Sequence, residues 1–360
     1  MMKHVFAGAM LAGLSLALHA ATVFPALSRP ALAVRAPHTQ VLLAAAQAGQ
    51  RIVAAGERGI VVLSDDGGAS WRQARQVPVS TTLTALSFAG AGLGWAVGHG
   101  GVILHTRDGG DTWTRQTDGA GLAQGALHAA DQALQADPGD PAAQRALRDA
   151  QMLAADGPDK PLLDVHFRDA RNGWAVGAYN LFVETSDGGA SWRSVAARLD
   201  NPRALHLYTI RSVGQAVFIA GEGGQLHRSL DGGRSFQALP SPYKGSWFAL
   251  GIRGDGVLVA AGLRGNAWQS RDRGATWERL AGAPPVSFVS AAPLQDGALL
   301  LANQAGQLFA SRSGAALAAL PAPRLPPLSA VMALPDHTLL ALGAGGAQRL
   351  PKGPRKEATR

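Results

Sequence analysis

The sequence holds no cysteine in 360 residues. Disulfide staples, thiolate nucleophiles and cysteine-ligated metals are therefore excluded within it. Tyrosine is scarce, with three residues, and charged residues make up only 16% of the chain. Histidine and acidic residues are scattered, without the spacing that gathers metal ligands, so neither metal nor cofactor is expected. Lys and Arg form no dense run with interleaved aromatics. The formal charge of +8 is spread thinly, which argues against nucleic acid as a partner. Long apolar runs are lacking except one, Val5 to Leu18, which follows Lys3 and His4. It is too short for a spanning helix and is followed by small residues, the pattern of a secretory signal peptide. Cleavage is expected near residue 20, or alternatively near 33 after Ala31-Leu32-Ala33. An exported, periplasmic protein is expected, with no stable membrane insertion after signal removal.

What abounds is glycine, 45 residues, beside 21 prolines. Without a collagen period, that composition indicates many tight turns between short strands. The turns recur. The pattern Ser/Thr-x-Asp-x-Gly-x-Ser/Thr-aromatic appears with Asp66, Gly68 and Trp71, then with Asp108, Gly110 and Trp113. It returns with Asp187, Gly189 and Trp192, with Asp231, Gly233 and Phe236, and with Asp272, Gly274 and Trp277. Decayed copies start at Ser311 and Pro351. The spacing is about 42 residues, the size of one four-stranded propeller blade, apart from one step of 79 between Thr106 and Thr185. The expected fold is all-β: a seven-bladed β-propeller of four-stranded antiparallel blades over residues 31–350, followed by a basic tail, 351–360. In each repeat the aspartate can accept backbone N–H groups of its own turn, glycine supplies positive φ, and the aromatic ring packs beneath. These Asp-box residues read as architecture.

The long step holds an insertion, 120–160, between the second and third blades. Ala123–Ala136 and Pro141–Ala155 are rich in Ala, Leu, Gln and Arg, with Asp140 as an N-cap and Pro141 at the first helical position, so a helical hairpin is expected. Leu127, Ala130, Leu134, Leu147, Met152 and Leu153 offer it a shallow apolar face. The seventh unit supplies only three strands before Pro351, and Ala31–Arg35 is the expected donor of its fourth.

Connectivity assigns faces. Lettering the strands A to D outward from the channel, D–A connections and B–C turns share one face, which carries the insertion as a lid or docking element. Candidate partner-binding residues on its turns are Arg58, His99, Tyr179, Glu222 and Arg264. On the opposite face Arg168, Arg211 and Arg253 end three successive A strands, an array suited to carboxylates or an acidic protein surface. Asp-boxes also occur in sialidases. Tyr208 with Glu222 is the best available nucleophile–acid pair, yet no acidic general-acid loop is seen, and an enzyme is not expected.

Leu93-Gly-Trp-Ala-Val-Gly98 before Thr106–Trp113, and Asn172-Gly-Trp-Ala-Val-Gly177 before Thr185–Trp192, resemble the photosystem II stability/assembly factor family. The resemblance covers nearly the whole chain after the signal peptide, except the insertion. It implies a seven-bladed propeller that binds nascent membrane protein non-catalytically. Exported relatives in non-photosynthetic bacteria, some encoded beside RND-type transporters, imply a membrane or envelope protein such as a transporter as partner. A monomer is expected. The family's arginine-rich surface has Arg168, Arg211 and Arg253 as its implied counterpart. A carbohydrate-binding or sialidase-like glycoside hydrolase propeller is the alternative.

Overall fold

The computed structural model describes residues 24–351. Seven antiparallel sheets follow one another along the chain, six with four strands and the last with three. Blade one comprises Leu42–Ala48, Arg51–Gly56, Val61–Ser64 and Arg72–Gln73. Each A strand packs against the A strands of the blades before and after. The Leu328–Ala333 strand of blade seven meets Leu42–Ala48 of blade one and closes the ring. The B strands of blades two to six, such as Gly94–Gly98 and Leu258–Gly262, are buried along their whole length because both faces meet a neighbouring blade. That is why they read as unbroken apolar runs rather than alternating ones.

Every A strand carries an irregularity after its first residue, leaving Leu43, Thr84, Leu163, Tyr208, Phe248, Val289 and Ser329 outside the regular pairing. All seven are half-buried. A bulge re-aims a side chain, and here it does so once per blade near the start of the innermost strand.

The Asp-boxes sit between strands C and D. Asp66 Oδ1 accepts from the Ser70 N–H at 2.9 Å and its Oδ2 from the Ser70 hydroxyl at 2.6 Å, while Gly68 N–H donates to Ser64 Oγ at 2.7 Å. Asp108, Asp187, Asp231 and Asp272 repeat the arrangement. Gly68, Gly110, Gly189, Gly233 and Gly274 all hold positive φ. The aromatic partners differ in depth: Trp113 is fully buried and donates to Gly110 O at 2.8 Å, whereas Trp71, Trp192, Phe236 and Trp277 are half-buried.

The helical hairpin consists of α1, Gly119–Ala136, and α2, Pro141–Asp156. Asp118 caps α1 and Asp140 caps α2, so α1 starts a turn earlier than the sequence indicates. Helix α1 rests on the rim, against the outermost strands of blades two and three and the His99–Gly101 turn, and α2 packs on α1. Leu122, Ala123, Ala130, Ala143 and Ala150 form the buried stripe, while Met152 is 62% exposed and lies outside it.

Ring closure differs from the expected donation of a strand by Ala31–Arg35. That segment is not a strand: Ala31 N–H bonds to Val77 O at 3.0 Å, and Val34 N–H to the Gln73 side chain at 3.0 Å, both in blade one and its exit. The reason lies in the linkers. A Cβ on Gly265 would meet Pro284 O at 1.9 Å, and one on Gly346 would meet His38 O at 2.1 Å. Every B–C turn except that of blade three thus carries a glycine over which the next linker passes, and His38–Thr39 fills that place for blade seven. Pro30 and Pro37, lacking N–H groups, suit a linker and not a ladder. Blade seven accordingly has three strands among the described residues. The signal segment and the basic tail lie outside them.

Candidate binding face

The B–C turns of blades one to five bring two successive residues into the left-handed region. Arg58 (φ 56°), Tyr179 (φ 53°) and Arg264 (φ 56°) occupy the first of these positions, where blades two and four have Gly100 (φ 74°) and Gly223 (φ 62°). In blade three the second position is also non-glycine, Asn180 at φ 63°. A side chain there costs about 1 kcal/mol or more relative to glycine. Burial does not offset it, because Arg58, Tyr179 and Arg264 are exposed, as is His99, and Glu222 is half-buried. Three blades therefore hold large polar or aromatic side chains in solvent at a conformational cost.

Around Tyr179 the structure assembles a file of rings that the sequence does not announce. Its ring lies edge-on to His206 at 4.8 Å. His206 and Tyr208 follow at 6.2 Å, and Tyr208 and Phe248 at 5.0 Å. Tyr208 and Phe248 are bulge residues of adjacent A strands, which is what re-aims them towards one another. The Tyr179 N–H donates to His206 Nδ1 at 3.0 Å. Glu222 Oε2 accepts from the His206 N–H at 3.1 Å. Lys160, at the exit of the hairpin and paired with Asp156 at 2.9 Å, places its ammonium 4.9 Å from the Tyr179 ring centroid. The insertion thus reaches this face through Lys160.

The opposite arginines do not form an array. Arg168 is exposed, with its guanidinium 5.6 Å from the Trp174 ring and 3.7 Å from Asp169. Arg211 donates to buried Asp164 Oδ2 at 2.5 Å, a carboxylate that also accepts from Ile210 N–H at 2.9 Å. Arg253 is 3% exposed and is fully engaged by Asp255, Gln269 and the carbonyl of Arg312. It is a tie between blades five and six rather than a surface group. The sequence shows the three as equivalent because each ends an A strand; what surrounds each is set by the neighbouring blade.

The catalytic possibilities are shaped by the same surroundings. Burial raises the pKa of the Tyr208 hydroxyl, and the charge of Glu222 adds to the effect, the reverse of what activates a phenolic nucleophile. His166 donates to or accepts from Ser212 Oγ at 2.8 Å; burial, with Arg211 nearby, pushes it down to about 4. Among the described residues no group of three His, Asp or Glu side chains has a metal-holding arrangement.

The model for the family described as photosynthesis system II assembly factor YCF48 matches residues 31–123 and 152–280. The break between the two stretches falls inside the helical hairpin. A photosystem II assembly lipoprotein Ycf48 from Synechococcus sp. (strain CC9902) is 32% identical over 118 residues, 32% of this chain. The match spans 35% of that relative's length. The structure of YCF48 bound to D1 peptide aligns with a TM-score of 0.62 at 18% identity, covering 91% of this chain and 100% of that one. YCF48 from Cyanidioschyzon merolae gives 0.55 at 17% identity, covering 78% and 85%. Streptogramin B lyase gives 0.63 at 11% identity, covering 91% and 99%. Binding proteins and an enzyme thus share the architecture, and the fold by itself decides for neither. The family match spans more than half of the chain and leaves out the middle of the insertion, and this chain belongs to the photosynthesis system II assembly factor YCF48 family.

Proposed function

We propose that the protein is an exported, non-catalytic assembly factor, monomeric in the periplasm, that binds a segment of a membrane or envelope protein on the face bearing the D–A connections. The names of its relatives support an assembly role, one of them bound to a peptide of the D1 protein. The observation that carries the reading for this chain is the display of Arg58, Tyr179 and Arg264 at positions where glycine is locally preferred. Strain kept in exposed side chains points to selection for contact rather than for stability.

Replacing all three by glycine separates the two effects. The variant Arg58→Gly/Tyr179→Gly/Arg264→Gly is expected to melt at the same or a higher temperature. Its capture of membrane proteins from detergent extracts of the host, identified by mass spectrometry, is expected to weaken by about tenfold or more, as for lost anchor side chains. Undiminished capture by the folded variant removes the turn tips from the binding surface.

A further inference from the structure

The face carrying the linkers is electrically divided. From the linker after blade four, around through blades five, six and seven to the first turn, its cations are Lys244, Arg264, Arg324, Arg29, Arg35 and Arg58. All are exposed, and none enters an ion pair among the described residues. Glu57 is the acidic residue of that stretch. The other half, at blades three and four, mixes signs: the acids Asp156, Asp159, Asp200 and Glu222 lie there with Lys160 and the exposed Arg203. The Asp-box face carries both kinds of cation: Arg51, Arg72, Arg312 and Arg349 are each held by an aspartate, while Arg107, Arg234, Arg271 and Arg273 on the turns are exposed and outside any ion pair among the described residues.

One further feature falls on the cationic half: Leu32, between Arg29 and Arg35, is 76% exposed. The residues before it run along the seam of blades one and two, where Ser80 N–H bonds to Ala26 O at 2.8 Å and Leu27 packs over the Gly100 turn. The residues before Phe24 include the apolar run Val5 to Leu18.

We propose that this cationic arc lies against an anionic bilayer surface. Its charges sit in separate linkers spread over several blades, each long enough to reach a common plane, with an exposed leucine among them. A broad, flat, negative surface engages them together. An acidic protein segment would engage a linear cluster, which these linkers do not form. The inference goes beyond the turn-tip reading and rests on different residues, Arg29, Arg35, Lys244 and Arg324.

Protein-free vesicles provide the test, so its outcome leaves the turn-tip reading untouched. The exported protein is expected to co-sediment with phosphatidylcholine vesicles containing phosphatidylglycerol, not with pure phosphatidylcholine, and to be released by salt. The variant R29S/R35S/K244S/R324S is expected to lose roughly 100-fold or more in partitioning, about fivefold per cation. Should it fail to fold, the K244S/R324S variant reads the same effect at roughly 25-fold. Equal binding to both vesicle types, or undiminished binding by a folded variant, overturns the proposal. Binding to polyglutamate without binding to the anionic vesicles overturns it too, in favour of an acidic protein partner.

Discussion

Arg253 Nη1 donates to Gln269 Oε1 at 3.1 Å within the blade-five side of a seam whose other side is the carbonyl of Arg312. The same Gln269 donates to Glu278 at 2.8 Å and to Gly314 O at 2.9 Å, so one arginine and one glutamine stitch two blades. Arg253→Ala is expected to cost about 3–5 kcal/mol, because it leaves the buried acceptors unpaired. Arg168→Ala, at an exposed site, is expected to cost under about 1 kcal/mol. Urea denaturation of both variants checks the contrast; equal costs would return Arg253 to the surface.

Acid is expected to loosen the Asp-boxes. Hydrogen bonds from the Ser70, Ser191 and Thr276 hydroxyls, with backbone N–H groups, hold Asp66, Asp187 and Asp272 at about 2, against an ordinary 3.8. A carboxyl depressed in the folded state contributes stability that is fully present above the ordinary value. That contribution drains as pH falls from about 4 towards 2. Melting temperatures measured through that window should fall, and Ser70→Ala with Ser191→Ala should make the fall shallower. A flat profile would show that the turns hold without their charges.

The box aromatics are expected to be unequal. Trp113→Ala should cost ~3–5 kcal/mol, and half-buried Trp71→Ala about half that. Trp277 Nε1 is buried without a partner among the described residues, while Trp113 Nε1 bonds to Gly110 O. Trp277→Phe should therefore be nearly neutral and Trp113→Phe destabilising by about 1 kcal/mol or more. Matching losses at the two sites in chemical denaturation would contradict this.

Replacing Gly119–Asp156 by a short Gly/Ser bridge should leave all seven blades folded, since the hairpin contributes no strand. Leu122 belongs to the seam cluster with Trp95 and Phe167, so a loss of about 1–3 kcal/mol is expected. Circular dichroism and thermal melting read the result. Loss of cooperative unfolding would show that the ring depends on its insertion.

These comparisons mark where the sequence was legible. The Asp-boxes could be read because each is closed within its own few residues, Asp66 bonding to Ser64, Ala69 and Ser70. The hairpin was readable from Asp140 and Pro141 for the same reason. Arg253 was not, since its burial depends on the loop after Ser311 in the next blade. The Tyr179–His206–Tyr208–Phe248 file was hidden because it depends on bulges that shift register, and nothing in residue spacing marks a bulge. The missing outer strand of blade seven was legible from Pro351, but the path of the first residues was decided by which gap, above Gly346, a linker had to fill.

That linker has a kinetic consequence. His38 and Thr39 are among the first residues of the fold to be made, and the glycine they cover is among the last. The apolar seam of Leu42 and Ile52 with Leu334, Leu340 and Leu342 likewise joins the two ends of the chain. Blades one to six can form as local hairpins while synthesis or export proceeds, but the opening residues must wait, with their apolar partners absent, until the final blade arrives. Ring closure is then the slow, aggregation-exposed step of folding. Under heat or mechanical load the same seam is where the circle first parts.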